Sequence, residues 1–412
     1  MNKAEATTSG DGATAGGLEE RIALVGKNLC RSFASLIDTL PGRPRQPVEV
    51  CRTLRINRDL SGRIVKATRN RDPLSSMGIM PGPEGLRLVL RAVRRKVPAG
   101  LIRAAEDAVV EFETLVRDVA GDRTALDAIV SAWVPEARAK FEAISKHTAF
   151  KGAAYVKGCS ADVNVCAIFV APGSSDDRCA YMSVRGLVGL RRLRPGSGVG
   201  ITNGYNTSGS SASAYQTTLE GHPINQNPRE ALLSEFCSPP SPAIAIHDCG
   251  TFIHYVLTDN QVGLESSVNL FFADVIDTVG RYSRPDRRKV SQAASIDVPT
   301  RLLIFDVLVH GSIWPDTHPE LLILDSAIRG AVNPNDPGHG VARINLAETI
   351  QFLGEGVSIC RAEAVPDYVP LLRHACQRMS WDPEAFRVHR CQMQYPFYGS
   401  IVHAVFDPPP RQ

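Results

Sequence analysis

Hydrophobic residues in the first third of the chain recur at helical spacing. Ile22, Val25, Leu29, Phe33, Leu36 and Leu40 fall three or four apart. That spacing predicts one buried helical face from residue 18 to the Pro41-Gly42 stop. Over 46–71 the elements shorten. Val50, Cys51 and Leu54 make an apolar face on a helix over 47–54, and a polar turn at 55–58 contains Ile56. Leu60, Ile64 and Ala67 then face inward from a helix over 59–70. Pro47 suits a first helical position, where its missing N–H is not needed, and Asn57 or Asp59 can cap the second helix. Further helices are predicted after Asp72, over 84–96, from Pro98 to Ala120, after Asp122, and from Pro135 to Lys146. Residues 18–148 therefore read as all-helical, behind a polar 1–17 tail with the composition of disorder.

Beyond residue 148 the texture changes. Short apolar or alternating runs at 162–170, 179–193, 243–257, 264–276, 301–313 and 401–406 predict strands. Helical patterns are few, at 229–236, 346–353 and 367–379. The strands do not alternate regularly with helices, which argues against a doubly wound parallel sheet. The expected fold class is α+β: an all-helical N-terminal domain over 18–148, then a β-rich domain over 149–412, mostly antiparallel sheet or sandwich, with a few helices.

Charge adds a second asymmetry. The chain carries only +3 overall, but residues 41–104 hold 15 Arg and Lys against four carboxylates, a local excess of +11. The remainder is therefore at −8, and the basic segment predicts an anionic partner or a solvated basic face. The ten cysteines include no CxxC pair, and the tail has no apolar run of the kind a signal peptide needs. Reduced thiols and a cytoplasmic location are expected. The apolar runs are too short to span a bilayer, so no membrane association is expected.

The 46–71 stretch resembles the helix-turn-helix superfamily of DNA-binding transcription regulators. Cys51 takes the small position of the first helix, Leu54 and Ile56 flank the turn, and Leu60 and Ile64 are the apolar pair of the second helix. Arg55 stands where glycine is usual, and Leu60 and Ile64 are four apart rather than three. A left-handed Arg55 would cost about 1 kcal/mol relative to glycine. The resemblance covers about 25 of the 412 residues. It implies a second helix in the major groove of double-stranded DNA and a homodimer. Ser61, Arg63 and Lys66 would approach base edges, with Arg63 suited to guanine. Arg43, Arg45, Arg58, Arg69 and Arg71 would contact phosphates, with the basic 87–96 helix a further phosphate candidate. The β-rich domain would bind an effector or another subunit. The alternatives are a basic surface for an acidic protein partner and an enzyme on the β-rich domain.

No GxSxG, HExxH or P-loop pattern is present. Gly196–Gly200 reads as a strand-connecting turn. On a single 243–257 strand, His247 and Cys249 would face one side and His254 the other. Asp306 and His310 would share a polar strand face about 13 Å apart, too far for a hydrogen bond. His389 and His403 fall in an expected terminal hairpin. No catalytic residue, cofactor or metal ligand is assigned.

Overall fold

The computed structural model describes residues 15–196, 199–205, 216–249, 252–258, 261–285, 288–326 and 335–411. The fold is α+β, and the chain divides into two compact units, Met1–Glu142 and Ala143–Gln412. Of the expected tail, residues 1–14 lie outside the described residues, and 15–17 already belong to the first helix. Residues 197 and 198 of the expected turn also lie outside them.

The first unit is helical: α1 (Ala15–Asp38), α2 (Pro47–Leu54), α3 (Arg58–Arg69), α4 (Pro73–Ile79), α5 (Pro83–Val93), α6 (Ala99–Leu115) and α7 (Arg123–Ser131). Helix α8 (Pro135–Lys157) runs on past the expected end near Lys146, so the predicted limit at residue 148 falls inside one continuous helix. The periodic face of α1 is buried, with Ile22, Leu29 and Phe33 wholly so, and it packs on α3, α4 and α6. Gly26 permits the α4 contact: a Cβ there would stand 2.6 Å from the Pro73 carbonyl oxygen. Asn57, Asp72 and Asp122 each cap a helix by accepting from backbone N–H groups of its first turn.

The second unit is built on a seven-stranded sheet. Its strands are β1 (Cys159–Pro172), β2 (Arg178–Arg192), β4 (Gln216–Thr217), β7 (Val268–Val279), β9 (Thr300–His310), β11 (Gln351–Glu355) and β12 (Phe386–Gln394), in the order β11-β12-β9-β1-β2-β7-β4. Among the described residues of this sheet, β1–β9 is the one parallel pairing. Two three-stranded sheets complete the unit. One is β10 (Glu320–Asp325), β13 (Ser400–Phe406) and β8 (Val290–Ser295); the other is β3 (Val199–Tyr205), β6 (Phe252–Leu257) and β5 (Ile244–Asp248). Phe305, Val307, Cys391 and Met393 of the central sheet pack on Ala294, Val402 and Phe406 of the first small sheet. The opposite face, with Phe169, Leu308 and Val388, is covered by Leu371, Leu372 and Cys376 of α9 (Tyr368–Arg378).

Several expected elements differ. The 243–257 run is a hairpin, β5 and β6, rather than one strand. The 229–236 helix is two short 3-10 turns. The helix expected over 346–353 is absent, and β11 forms there because the edge of β12 offers a ladder of backbone partners. β12 and β13 make no hairpin: β12 joins β9 and β11, and β13 joins β8 and β10.

Candidate nucleic-acid interface

The α2–α3 pair begins at a reciprocal cap. Glu49 accepts from the backbone N–H groups of Arg45 (2.8 Å) and Gln46 (2.9 Å). Those two donors, Gln46 first, hold its carboxyl below the usual range. Helix α2 ends at Arg55 in the left-handed region, φ 54° and ψ 40°, a conformation that turns the chain sharply but favours glycine. Asn57 then caps α3 through Oδ1, 2.6 Å from the Leu60 N–H. Lys96 donates to the carbonyl of Thr53 and ties the segment after α5 to the end of α2.

The expected DNA-contacting residues separate into two groups. Arg43, Arg45, Arg58, Lys66, Arg69 and Arg71 are exposed. The Arg69 guanidinium donates to the backbone carbonyl of Arg45, which ties the segment before α2 to the C-terminal end of α3. Lys66 lies one turn before Arg69 on the same face. Arg58 begins the helix, roughly 16 Å away along its axis at 1.5 Å per residue.

Ser61 is corrected by its burial, and Arg63, although exposed, is engaged within the helical unit. Ser61 is wholly buried, with its hydroxyl donating to the Arg58 carbonyl 3.0 Å away, so it cannot reach a base edge from there. It sits beside Leu60 on the inward face, a position its small size permits. Arg63 keeps part of its side chain exposed, but its guanidinium donates to the carbonyls of Ile79 and Met80, both at 3.1 Å. It satisfies acceptors left over at the end of α4, where Pro81 follows. That downstream Met80-Pro81 pair was the available sequence signal. Arg52 and Arg55, exposed at the turn, lie outside the expected contact residues, and the Lys96–Thr53 contact holds the exposed Arg94 and Arg95 segment to the end of α2. The local charge excess was the clue to them.

Candidate chemistry in the second unit is also rearranged. His247 stands directly opposite His254 in the β5–β6 hairpin, not on the other side of one strand. Among the described residues, no group of three or more His, Cys, Asp and Glu side chains is placed to hold a metal ion. Asp306 is not on a solvated polar face. It is fully buried, accepts from Arg390 Nε at 2.7 Å and Nη2 at 2.6 Å, and accepts from the Tyr368 hydroxyl at 2.8 Å. Burial pushes its carboxyl up, and Arg390 and Tyr368 oppose that shift. A carboxylate enclosed by two structural donors has no open side for a reactant. His310 turns instead to Ser312, with Nδ1 2.9 Å from the hydroxyl oxygen.

No protein-family model matches the chain, and no curated protein does. A solved structure described as a "putative protease" from Parabacteroides distasonis ATCC 8503 is similar over 61% of this chain and 41% of its own, at 10% identity and a TM-score of 0.24. The chain thus spans less than half of that protein, and a likeness this slight carries no functional argument. No helix among the described residues is long and apolar enough to cross a membrane.

Proposed function

We propose that the helical unit binds double-stranded DNA chiefly through its phosphate backbone. In this reading α3 lies at the major groove and the cations at its two ends meet the flanking phosphates. The observation that carries it is the separation of those cations: Arg58 at one end and Lys66 and Arg69 toward the other, with the Arg45 backbone held by Arg69. Their spread of roughly 16 Å along the helix exceeds the groove's width of about 12 Å, so both walls are within reach. With Ser61 and Arg63 engaged inside the unit, Lys66 alone is left to approach base edges. A weak sequence preference follows.

A regulatory role, with the β-rich unit binding an effector or subunit and the protein acting as a homodimer, extends the same reading. Its ten free cysteines suit a cytoplasmic location.

The test is fluorescence anisotropy of the full chain with a labelled mixed-sequence duplex at rising salt. Binding should weaken steeply with salt, and Lys66→Ala with Arg69→Ala together should reduce the logarithmic slope by about two. Absence of salt-sensitive binding at low ionic strength refutes the proposal.

A further inference from the structure

One end of the β-rich unit holds a groove of about 990 Å³, the size range of small-molecule sites. It is walled by the later turns of α8 and by the ends of β1, β2 and β9. Its chemistry is divided. On one side Tyr395 projects between His147 and Phe150, with ring centroids 4.6 and 5.4 Å from its own. Tyr395 holds a left-handed backbone, φ 50°, which costs a non-glycine residue energy that packing must offset. Its N–H is bound to the Arg301 carbonyl at 2.7 Å, so the aromatic wall is fixed to the basic one.

The other side is cationic. Asp162 is shared by two guanidiniums: Arg191 Nη2 at 2.7 Å and Arg301 Nε at 3.5 Å from the same oxygen. Arg191 is nine-tenths buried and oriented by this contact. Gly189, at φ 65°, lets the backbone of β2 approach so closely that a Cβ would stand 2.4 Å from an Asp162 oxygen. Counting Glu363, which also lines the groove, its three cations and two carboxylates leave one net positive charge. Arg301 makes only the longer approach, and exposed Lys151 adds a cation with no ion-pair partner among the described residues.

We infer that this groove binds a small planar aromatic molecule carrying an anionic group. The ring would stack on the Phe150–Tyr395 wall, and the anion would take charge-assisted hydrogen bonds from Arg301 and Lys151. This deepens the reading of the β-rich unit as an effector-binding part, and it stands apart from DNA binding by the helical unit.

The experiment is isothermal titration calorimetry of the full chain, without nucleic acid, against adenosine monophosphate, adenosine, inorganic phosphate and benzoate. Sub-millimolar binding of adenosine monophosphate, weaker binding of adenosine and of phosphate alone, and loss of about tenfold in affinity in Arg301→Gln are expected. Phe150→Ala should weaken adenosine as well as the monophosphate. Benzoate binding in place of the monophosphate, with the same Arg301 dependence, identifies the anion as a carboxylate and supports the site. Arg301 is more than half exposed and its replacement leaves the Arg191–Asp162 pair in place; Lys151→Gln, on an exposed helical position, gives a second variant with the same expected direction. Lys66→Ala with Arg69→Ala should leave the titration unchanged. No binding by either anionic ring compound at millimolar concentration overturns the inference, as does binding indifferent to Arg301, Lys151 and Phe150. DNA binding is read separately by its salt slope, so either result can fail alone.

Discussion

The guanidinium of Arg63 donates to the backbone carbonyl of Met80 across 3.1 Å, from the middle of α3 to the residue that ends α4. A side chain expected to approach base edges thus serves the packing of two helices. Arg63→Ala should lower the unfolding free energy by about 1–2 kcal/mol, the range for a partly exposed hydrogen bond to a charged group. It should leave the salt slope of DNA binding unchanged, whereas loss of Lys66 and Arg69 changes the slope. Urea unfolding and anisotropy on the same variants separate the two; a slope reduced in Arg63→Ala would return this residue to the interface.

Gly26 and Gly62 both lie within helices and should respond to alanine in opposite directions. Relief of the backbone entropy cost alone favours alanine by about 1 kcal/mol in each. At Gly62 nothing lies within 4 Å of an added Cβ, so that gain should appear as a higher Tm. At Gly26 the new methyl meets the Pro73 carbonyl oxygen at 2.6 Å, and overpacking of about 1–3 kcal/mol should prevail. A stabilised Gly26→Ala protein would mean that α1 and α4 can separate freely.

Two buried histidines predict acid sensitivity. His389 is pushed down to about 4 by burial, reinforced by Arg387 and His318, and His403 is pushed down to about 4 by burial. Among the described residues, neither ring nitrogen of His403, nor Nε2 of His389, meets a hydrogen-bond partner. In the unfolded chain both titrate near 6.5. The unfolded state therefore binds more protons between those values. The stability tied to the neutral rings is fully present above about pH 6.5 and falls as pH drops toward 4, on the order of 3 kcal/mol per ring. Urea melts at pH 7 and pH 4.5 should show a smaller loss for His403→Leu than for the parent. Equal losses would remove His403 as a cause.

The sequence by itself determined the local structure of the helical unit. Pro47 and Leu54 mark where α2 begins and ends, Asn57 marks where α3 begins, and the periodic apolar residues of α1 mark the face that is buried. These features depend on hydrogen bonds within a few residues and on the 3.6-residue repeat, so neighbours in the chain suffice. The left-handed backbone at Arg55 was expected only through the helix-turn-helix resemblance, which has glycine there, and the turn adopts it without glycine. The exposed cations were legible too, because most residues between buried helical positions face water. Only the tertiary structure decided which polar residues were already engaged. Ser61 and Arg63 differ from Lys66 in what α4 and the unit's interior place beside them, and spacing within α3 does not encode that. Asp306 meets Arg390, 84 residues away, only because β9 pairs with β12. The assignment of β12 and β13 to different sheets, the parallel β1–β9 pairing and the shared Asp162 likewise depend on strands distant in sequence. A period-two pattern specifies which side of a strand is apolar, and long-range pairing selects its neighbour.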